Sequence, residues 1–162
     1  MTLEIIIIIF IIIFLIIIYK GKEDPYKRKT EMSFKEAIDL VELPVVTFYN
    51  GNKKLNFLLD TGSNISQINS SILGSLNYTL LEETNAVIGI EGNKKETQYC
   101  QMTFKYKDKL FVNDFCIHNL DDAFAIIKEE SGVQIHGILG SLFFQKYKYI
   151  LDYSTLIAYS KK

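Results

Sequence analysis

The sequence has few of the residues that build disulfide frameworks or metal sites. It contains two cysteines, two histidines and no tryptophan among 162 residues. Two cysteines cannot form a disulfide framework, and the chain lacks both the HExxH pattern and the closely spaced cysteines of zinc sites. Its 18 basic and 19 acidic residues give a net charge of -1, whereas nucleic-acid binding calls for a clustered basic surplus. We therefore expect no metal, no cofactor and no nucleic-acid partner.

The N-terminus carries a long apolar run. Residues Ile5 to Tyr19 are almost entirely Ile, Phe and Leu and include no charge. As a helix rising about 1.5 Å per residue they would span roughly 22 Å, and flanking residues with bilayer thinning would cover the rest of a core of about 30 Å. A cleaved signal peptide is the alternative, but residues 1–4 have no positive charge and no small-x-small cleavage site follows. We predict a transmembrane anchor over residues 3–19 that contacts the lipid bilayer.

A charged stretch separates this apolar run from the rest of the chain. Residues 20–33 contain Pro25 and many charges, which is typical of a tether. The residues before the run include Glu4 and no basic residue, whereas five basic residues follow it: Lys20, Lys22, Lys27, Arg28 and Lys29. The positive-inside rule then predicts a single-pass protein whose domain, residues 34–162, is cytoplasmic. A periplasmic or extracellular side is the alternative.

The most informative stretch, Phe57–Ser63, reads Phe-Leu-Leu-Asp-Thr-Gly-Ser. Three apolar residues predict a strand that is buried on both faces. The strand runs directly into Asp60, whose ionised carboxylate is costly at the edge of a core unless it is hydrogen-bonded or paired. Gly62 permits a tight turn, and the hydroxyls of Thr61 and Ser63 can bond to the carboxylate or to a partner chain. This pattern indicates a catalytic aspartate rather than a structural one.

From Phe34 onward the pattern predicts short strands and turns. Tyr99 to Tyr106 and Leu110 to Ile117 indicate a hairpin, whose turn would place Cys100 roughly opposite Cys116. Reduced core thiols are expected in a cytoplasmic domain, and a cross-strand disulfide is the alternative.

Ala86 to Asn93 has the composition of a hairpin with a glycine-rich tip. Its apolar arms, with Gly89 and Gly92, would allow a mobile flap over a binding site. An ordinary surface hairpin is the alternative.

The last third of the chain begins with a second informative stretch. Ile135 to Ser141 predicts a buried strand closed by glycine, and Leu142 to Tyr147 predicts a short amphipathic helix. Tyr149 to Asp152 and Thr155 to Tyr159 predict a final hairpin. Asp152 follows an Ile-Leu pair and is therefore a rival carboxylate, although it lacks the Thr-Gly that would shape a turn.

These stretches, in this order, resemble the retropepsin-like aspartic proteases. That family comprises single-domain relatives of pepsin and includes retroviral and bacterial aspartyl proteases. The resemblance covers roughly Val45 to Tyr159 and rests on Leu58 to Ser63, the glycine-rich hairpin and Ile138-Leu139-Gly140. It implies an all-β fold, a closed and mostly antiparallel barrel with one short C-terminal helix. Together with the predicted anchor, it indicates a membrane-anchored member of the bacterial type.

The resemblance also implies a role for each matching residue. Asp60 would be the catalytic carboxylate. Its active-site support would come from Thr61, Gly62, Ser63, Ile138, Leu139 and Gly140, with Ser63 holding Asp60 from outside. The flap that covers the substrate would comprise Ile88, Gly89, Ile90, Glu91 and Gly92.

Peptide hydrolysis of this type needs two carboxylates that share one proton, but the chain has one Asp-Thr-Gly. The resemblance therefore implies a homodimer in which Asp60 is contributed twice, acting as an endopeptidase on a protein or peptide substrate. A catalytically silent domain of the same fold that binds a peptide or a partner at the membrane is the alternative function. A purely structural membrane-tethered β-domain is a third.

Overall fold

A computed structural model describes residues 31–88 and 94–160, with the side chains of 83–88 and 94–97 excluded from the description. The predicted anchor (3–19) and nearly all of the predicted tether lie outside these ranges. Among the helices within them, none is both long and apolar enough to cross a membrane.

The described chain begins with a helix that the sequence analysis missed. Helix α1 covers Phe34–Val41 and follows a reciprocal cap at Ser33. The backbone N–H of Glu36 donates to the Ser33 hydroxyl (3.4 Å), and that of Ser33 donates to the Glu36 carboxylate (3.1 Å). This capping box satisfies two N–H groups that a helix start leaves unpaired. Phe34 and Ala37 face inward and are buried, so amphipathic packing completes the stabilisation of the helix.

Nine strands and two further α-helices follow. The strands are β1 (Val45–Asn50), β2 (Lys53–Leu59), β3 (Gln67–Asn69), β4 (Thr79–Ile88), β5 (Lys94–Tyr106), β6 (Lys109–His118), β7 (Gly137–Leu139), β8 (Tyr149–Asp152) and β9 (Ile157–Ser160). The helices are α2 (Ala125–Ser131) and α3 (Ser141–Tyr147), and two 3-10 turns cover Ser70–Ser75 and Asp122–Phe124.

Six of the strands close into a ring. Their order is β1-β2-β7-β3-β6-β5, and the pair Tyr49↔Lys105 joins β1 back to β5. Strand β4 pairs with the first part of β5, on the edge that faces away from β6. Strands β8 and β9 form a separate hairpin. The predicted closed barrel with a short C-terminal helix, α3, is therefore confirmed. The fold is mostly β rather than all-β, because α1 and α2 are additional helices.

Aromatic side chains fill the barrel. Six phenylalanines from β1, β2, β5, β6 and α3 are fully buried in one cluster: Phe48, Phe57, Phe104, Phe111, Phe115 and Phe143. Many of these rings meet edge to face, as Phe48 and Phe104 do at 5.4 Å, a geometry favoured by the ring quadrupoles. Leu58, between two residues of this cluster, packs instead against a second cluster beneath α1. Strand β2 therefore has apolar partners on both faces, as predicted.

The hairpin of β5 and β6 has a register that separates its cysteines. Cys100 lies opposite Phe115, and Cys116 lies opposite Tyr99. The two cysteines are thus offset by one position, and successive side chains on a strand point to opposite faces. Both are buried and neither forms a disulfide, as expected for reduced core thiols. The cysteines, predicted to lie roughly opposite each other, are one position out of direct register.

Candidate active site

Asp60 lies where two parallel strands end side by side. Strand β2 pairs with β7 in the register Leu58↔Ile138 and Leu59↔Leu139. The pairing continues one residue beyond β2, because the N–H of Asp60 donates to the carbonyl of Leu139 (3.0 Å). Leu59 and Leu139 are both buried. The paired backbones of β2 and β7 therefore hold Asp60 at the edge of the core.

The turn after Asp60 is closed by the carboxylate itself. The N–H of Gly62 donates to Asp60 Oδ1 at 2.8 Å, which is an Asx turn. A β-carbon at Gly62 would lie only 3.2 Å from this oxygen. Asp60 is half-buried, whereas Thr61 and Gly62 are exposed at the tip. One carboxylate oxygen is thus engaged by the turn, and the tip is open to a second molecule.

Gly140 brings the loop after β7 against the loop after Asp60. Its N–H donates to the hydroxyl of the buried Ser66 (3.1 Å), and the next residue, Ser141, donates its N–H to the carbonyl of Ser63 (2.7 Å). A β-carbon at Gly140 would lie 2.5 Å from the carbonyl oxygen of Ile65. Only glycine allows this approach, so Gly140 serves as a backbone contact between the two loops.

The other predicted support residues occupy defined positions. Ile138 is half-buried beside Gln67 of β3, and Leu139 is in the main core. The hydroxyl of Ser63 donates to the carbonyl of Ile65 (2.8 Å). Ser63 therefore stabilises its own loop, and that hydroxyl bond is local rather than directed at Asp60.

Sequence reasoning missed Ser66 and a polar network below the site. His136 lies just before β7, and its ring atom Nδ1 accepts the backbone N–H of Asn56 (3.0 Å). The backbone N–H of His136 in turn donates to the Asn56 carbonyl (2.8 Å). The Asn56 side chain also bonds to Thr47 and to the carbonyl of Gln134. Burial, with a smaller effect of the Lys53 charge, lowers the pKa of His136 to about 4. The imidazole is therefore neutral near pH 7 and acts as a fixed acceptor between β2 and the residues leading into β7.

The rival carboxylate has a structural explanation. Oδ1 of Asp152 accepts the N–H groups of Ser154 (2.9 Å) and Thr155 (3.2 Å) in the turn between β8 and β9. The hydroxyl of Ser154 also donates to Oδ1, and the side-chain bonds with Ser154 and then Thr155 are the main causes that lower the pKa of Asp152, with a smaller part from the backbone bonds. Its charge stabilises the hairpin turn, and nothing in that arrangement calls for catalysis.

The predicted flap is described only at its base. Strands β4 and β5 pair as far as Ile88↔Lys94, so Ile88 lies at the end of one arm. Residues Gly89, Ile90, Glu91 and Gly92 lie outside the described residues.

A cavity of about 440 Å³ lies beside the loop that follows Asp60. Ile65 and Ser66 of that loop line it, together with residues of β4, β5, β6 and α3: Leu81, Glu82, Tyr99, Asn113, Asp114, Leu142 and Lys146. Within the described residues there is no group of three or more His, Cys, Asp or Glu side chains that could hold a metal ion. The arrangement offers a carboxylate and an adjacent side-chain pocket.

The family of this protein is shown by a comparison with protein-family models. A family model described as "Aspartyl protease" matches residues 45–143, from the start of β1 into α3. The EIAV protease complexed with the inhibitor HBY-793 is 21% identical, covering 64% of this chain and 86% of its own (TM-score 0.45). The retroviral protease-like domain of Ddi1 from Leishmania major is 9% identical, covering 74% and 89% (TM-score 0.49). No curated protein matches. Because the family model spans more than half of the chain and includes Asp60 and Gly140, the protein belongs to the aspartyl protease family.

Proposed function

We propose that this protein is a membrane-anchored aspartic endopeptidase that hydrolyses peptide bonds in an extended protein segment. The observation that carries the proposal is the position of Asp60, at the paired ends of β2 and β7 and in its own Asx turn. Family membership supports a protease-type activity. The uncharged apolar run within residues 3–19 supports an anchor.

A second copy of the chain would complete the site. The mechanism needs two carboxylates that share one proton, and the sequence has one Asp-Thr-Gly. The exposure of Thr61 and Gly62 supports a two-fold partner at this tip. In that arrangement the Thr61 hydroxyl would bond across the axis, and Gly62 would permit the close approach.

The chemistry follows from two Asp60 carboxylates that cannot both ionise at close range. The ionised carboxylate takes a proton from a water molecule as the water oxygen bonds to the peptide carbonyl carbon. The protonated Asp60 of the partner subunit donates its proton to the carbonyl oxygen. The first Asp60 then gives the proton that it took from water to the amide nitrogen, and the C–N bond breaks. As the bond breaks, the partner's Asp60 takes a proton back from a hydroxyl of the intermediate, so the pair again shares one proton and titrates as one unit.

Substrate binding would use the flap and the cavity beside the site. An extended peptide can pair its backbone with a flap hairpin that also excludes water, and residues 88–92 would form the tip. The 440 Å³ cavity has apolar walls from Ile65, Leu81 and Leu142 and polar groups from Glu82 and Lys146. It would accept a substrate side chain with an apolar stem.

Proteolysis of a peptide library by the full-length protein tests the mechanism, with Asp60→Asn as the inactive variant. Removing a positioned acid-base group should lower the rate by about 100- to 10,000-fold, while circular dichroism reports an unchanged fold. Specific activity should also fall on dilution, because the site needs two chains. Cleavage that persists in Asp60→Asn would refute the mechanism, whereas peptide binding without cleavage by the wild type would favour a silent binding domain.

The side of the membrane has its own test. The basic residues after residue 19 support a cytoplasmic domain. Protease added to intact cells should then leave the domain uncut until the cells are opened. Cleavage in intact cells or spheroplasts would assign it to the other side.

A further inference from the structure

We infer that one end of the barrel is a docking surface for anionic lipid headgroups, an inference that rests on the proposed membrane anchor. The surface, called here the basal groove, is an open groove of about 700 Å³ between α1, the β5–β6 turn and the β8–β9 hairpin. Its lining residues include Lys35, Lys107, Lys109, Leu156, Ile157 and Tyr159.

The charge of the basal groove favours anionic headgroups. Three lysines and one acidic residue, Asp108, line the basal groove, although the whole chain has a net charge of -1. Three other carboxylates lie close to the basal groove, and each accepts hydrogen bonds. Oδ1 of Asp152 accepts the N–H of Thr155, which lines the groove. Glu31 forms an ion pair with Lys54 (3.0 Å) and accepts the Tyr49 hydroxyl, and Glu36 accepts the N–H of Ser33 in the capping box.

Lysines and apolar side chains line the basal groove together, a combination suited to binding lipid headgroups. Nζ of Lys109 lies 5.9 Å from the centre of the Phe111 ring and donates to the hydroxyl of Ser160 (2.6 Å). On β9, Ile157 is 52% exposed and Tyr159 is 44% exposed. Lysines that share a groove with exposed tyrosine and isoleucine match a membrane interface, where amphipathic side chains meet phosphates.

The position of the chain start gives the second argument. Ser33, the last residue of the predicted tether, and Phe34 line the basal groove. Glu31 and Met32 lie beside it, against Lys54 and Thr47, so the tether would join the folded domain next to this surface. Fully extended, that tether would reach up to roughly 50 Å. It therefore permits contact between the domain and the bilayer without enforcing it, and the lysines would supply the attraction that favours contact. Each lysine near an anionic surface strengthens binding about fivefold, so the three together contribute on the order of a hundredfold.

Docking would also orient the domain. Strand β5 runs for 13 residues from Lys94, next to the predicted flap, to Tyr106 at the basal groove. At about 3.3 Å per residue, this strand separates the two ends by roughly 40 Å. The flap end would therefore point away from the bilayer, and the site would take substrate from the aqueous side.

The test uses the full-length protein in vesicles and a fluorophore attached to one introduced cysteine. Cys100 and Cys116 are fully buried, so a maleimide dye should label an exposed Thr155→Cys in the groove or, as the distant control, Gln98→Cys on β5. Quenching by nitroxide-labelled headgroups should be strong at position 155 and weak at position 98. It should be stronger in phosphatidylserine vesicles than in phosphatidylcholine alone.

Charge variants complete the test. In the position-155 protein, Lys107→Gln with Lys109→Gln should shift the docking equilibrium by about 25-fold. Lys53→Gln with Lys128→Gln removes the same charge from exposed residues that line neither the basal groove nor the 440 Å³ cavity and should leave the quenching unchanged. Any of four results would overturn the inference. They are equal quenching at both positions, quenching that does not depend on phosphatidylserine, equal effects of the two charge pairs, and crosslinking between the grooves of two molecules in place of lipid contact. Asp60→Asn should quench like wild type, so failure of the protease mechanism is distinguishable from failure of docking.

Discussion

Acidification should destabilise the domain through His136, the imidazole that bridges β2 to the residues before β7. Its pKa is about 4 in the folded protein, against 6.5 for an unperturbed histidine. The unfolded chain therefore binds a proton more readily. The stabilisation is fully present above pH 6.5 and is lost as the pH falls toward 4.

The size of the effect follows from the same two values. At 1.36 kcal/mol per pKa unit, the difference corresponds to a loss of about 3 kcal/mol once the pH is below the folded pKa. In a domain of this size, such a loss lowers the melting temperature by on the order of 10 °C. The main cause is burial of the imidazole, with a smaller part from the Lys53 charge, and protonation of Nδ1 also removes the acceptor for the Asn56 N–H (3.0 Å).

Thermal unfolding at a series of pH values measures this contribution. Other groups also titrate in acid, so the comparison is between wild type and His136→Asn, whose side-chain oxygen can accept the Asn56 N–H without titrating. Between pH 6.5 and 4, His136→Asn should lose less stability than wild type, because it lacks the contribution of His136. The control variant His118→Asn should lose as much stability as wild type. Equal acid sensitivity in wild type and His136→Asn, or a folded-state His136 pKa near 6.5 by NMR, would refute the reasoning.

The remaining predictions concern the loops and the thiols. Gly140→Ala should destabilise the domain by about 1–3 kcal/mol, because the new methyl group meets backbone atoms at 2.5 Å. Chemical denaturation measures this, with Gly74→Ala as the control, since no atom lies within 4 Å of a β-carbon there. Ser66→Ala should cost about 1–3 kcal/mol in the same assay, because the buried N–H of Gly140 loses its acceptor. A reducing agent should leave the melting temperature unchanged, because no disulfide joins the two cysteines; a lower melting temperature after reduction would contradict the observed register.

The sequence predicted the elements that local patterns determine. The apolar run before Asp60 and the glycine after Ile138-Leu139 indicated two buried strands, and the β2–β7 pairing is consistent with a shared site. Helix α1 was missed because its length is only eight residues and its apolar positions were interpreted as strand-like. Ser33 and Glu36 carried the signal, a Ser-x-x-Glu capping box.

Other features depend on contacts between distant residues and could not be read locally. A one-position difference in hairpin register decides that the cysteines are not opposite each other. Ser66 has no motif, and its role exists only because β7 brings Gly140 to it. For His136, burial is the main cause of the lowered pKa, with a smaller part from the Lys53 charge, and burial is a property of the assembled barrel.

The parallel pairing of β2 with β7 has a consequence for the order of folding. Residues that bond directly across this region, such as Asn56 and His136, are 80 positions apart in the sequence. Contacts this distant form late, because the entropy of closing the intervening loop is lost before they are gained. During synthesis, β7, the strand that pairs with the end of β2 beside Asp60, emerges about 80 residues after β2. A nascent chain would thus carry the Asp-Thr-Gly motif without a formed site until β7 has been made.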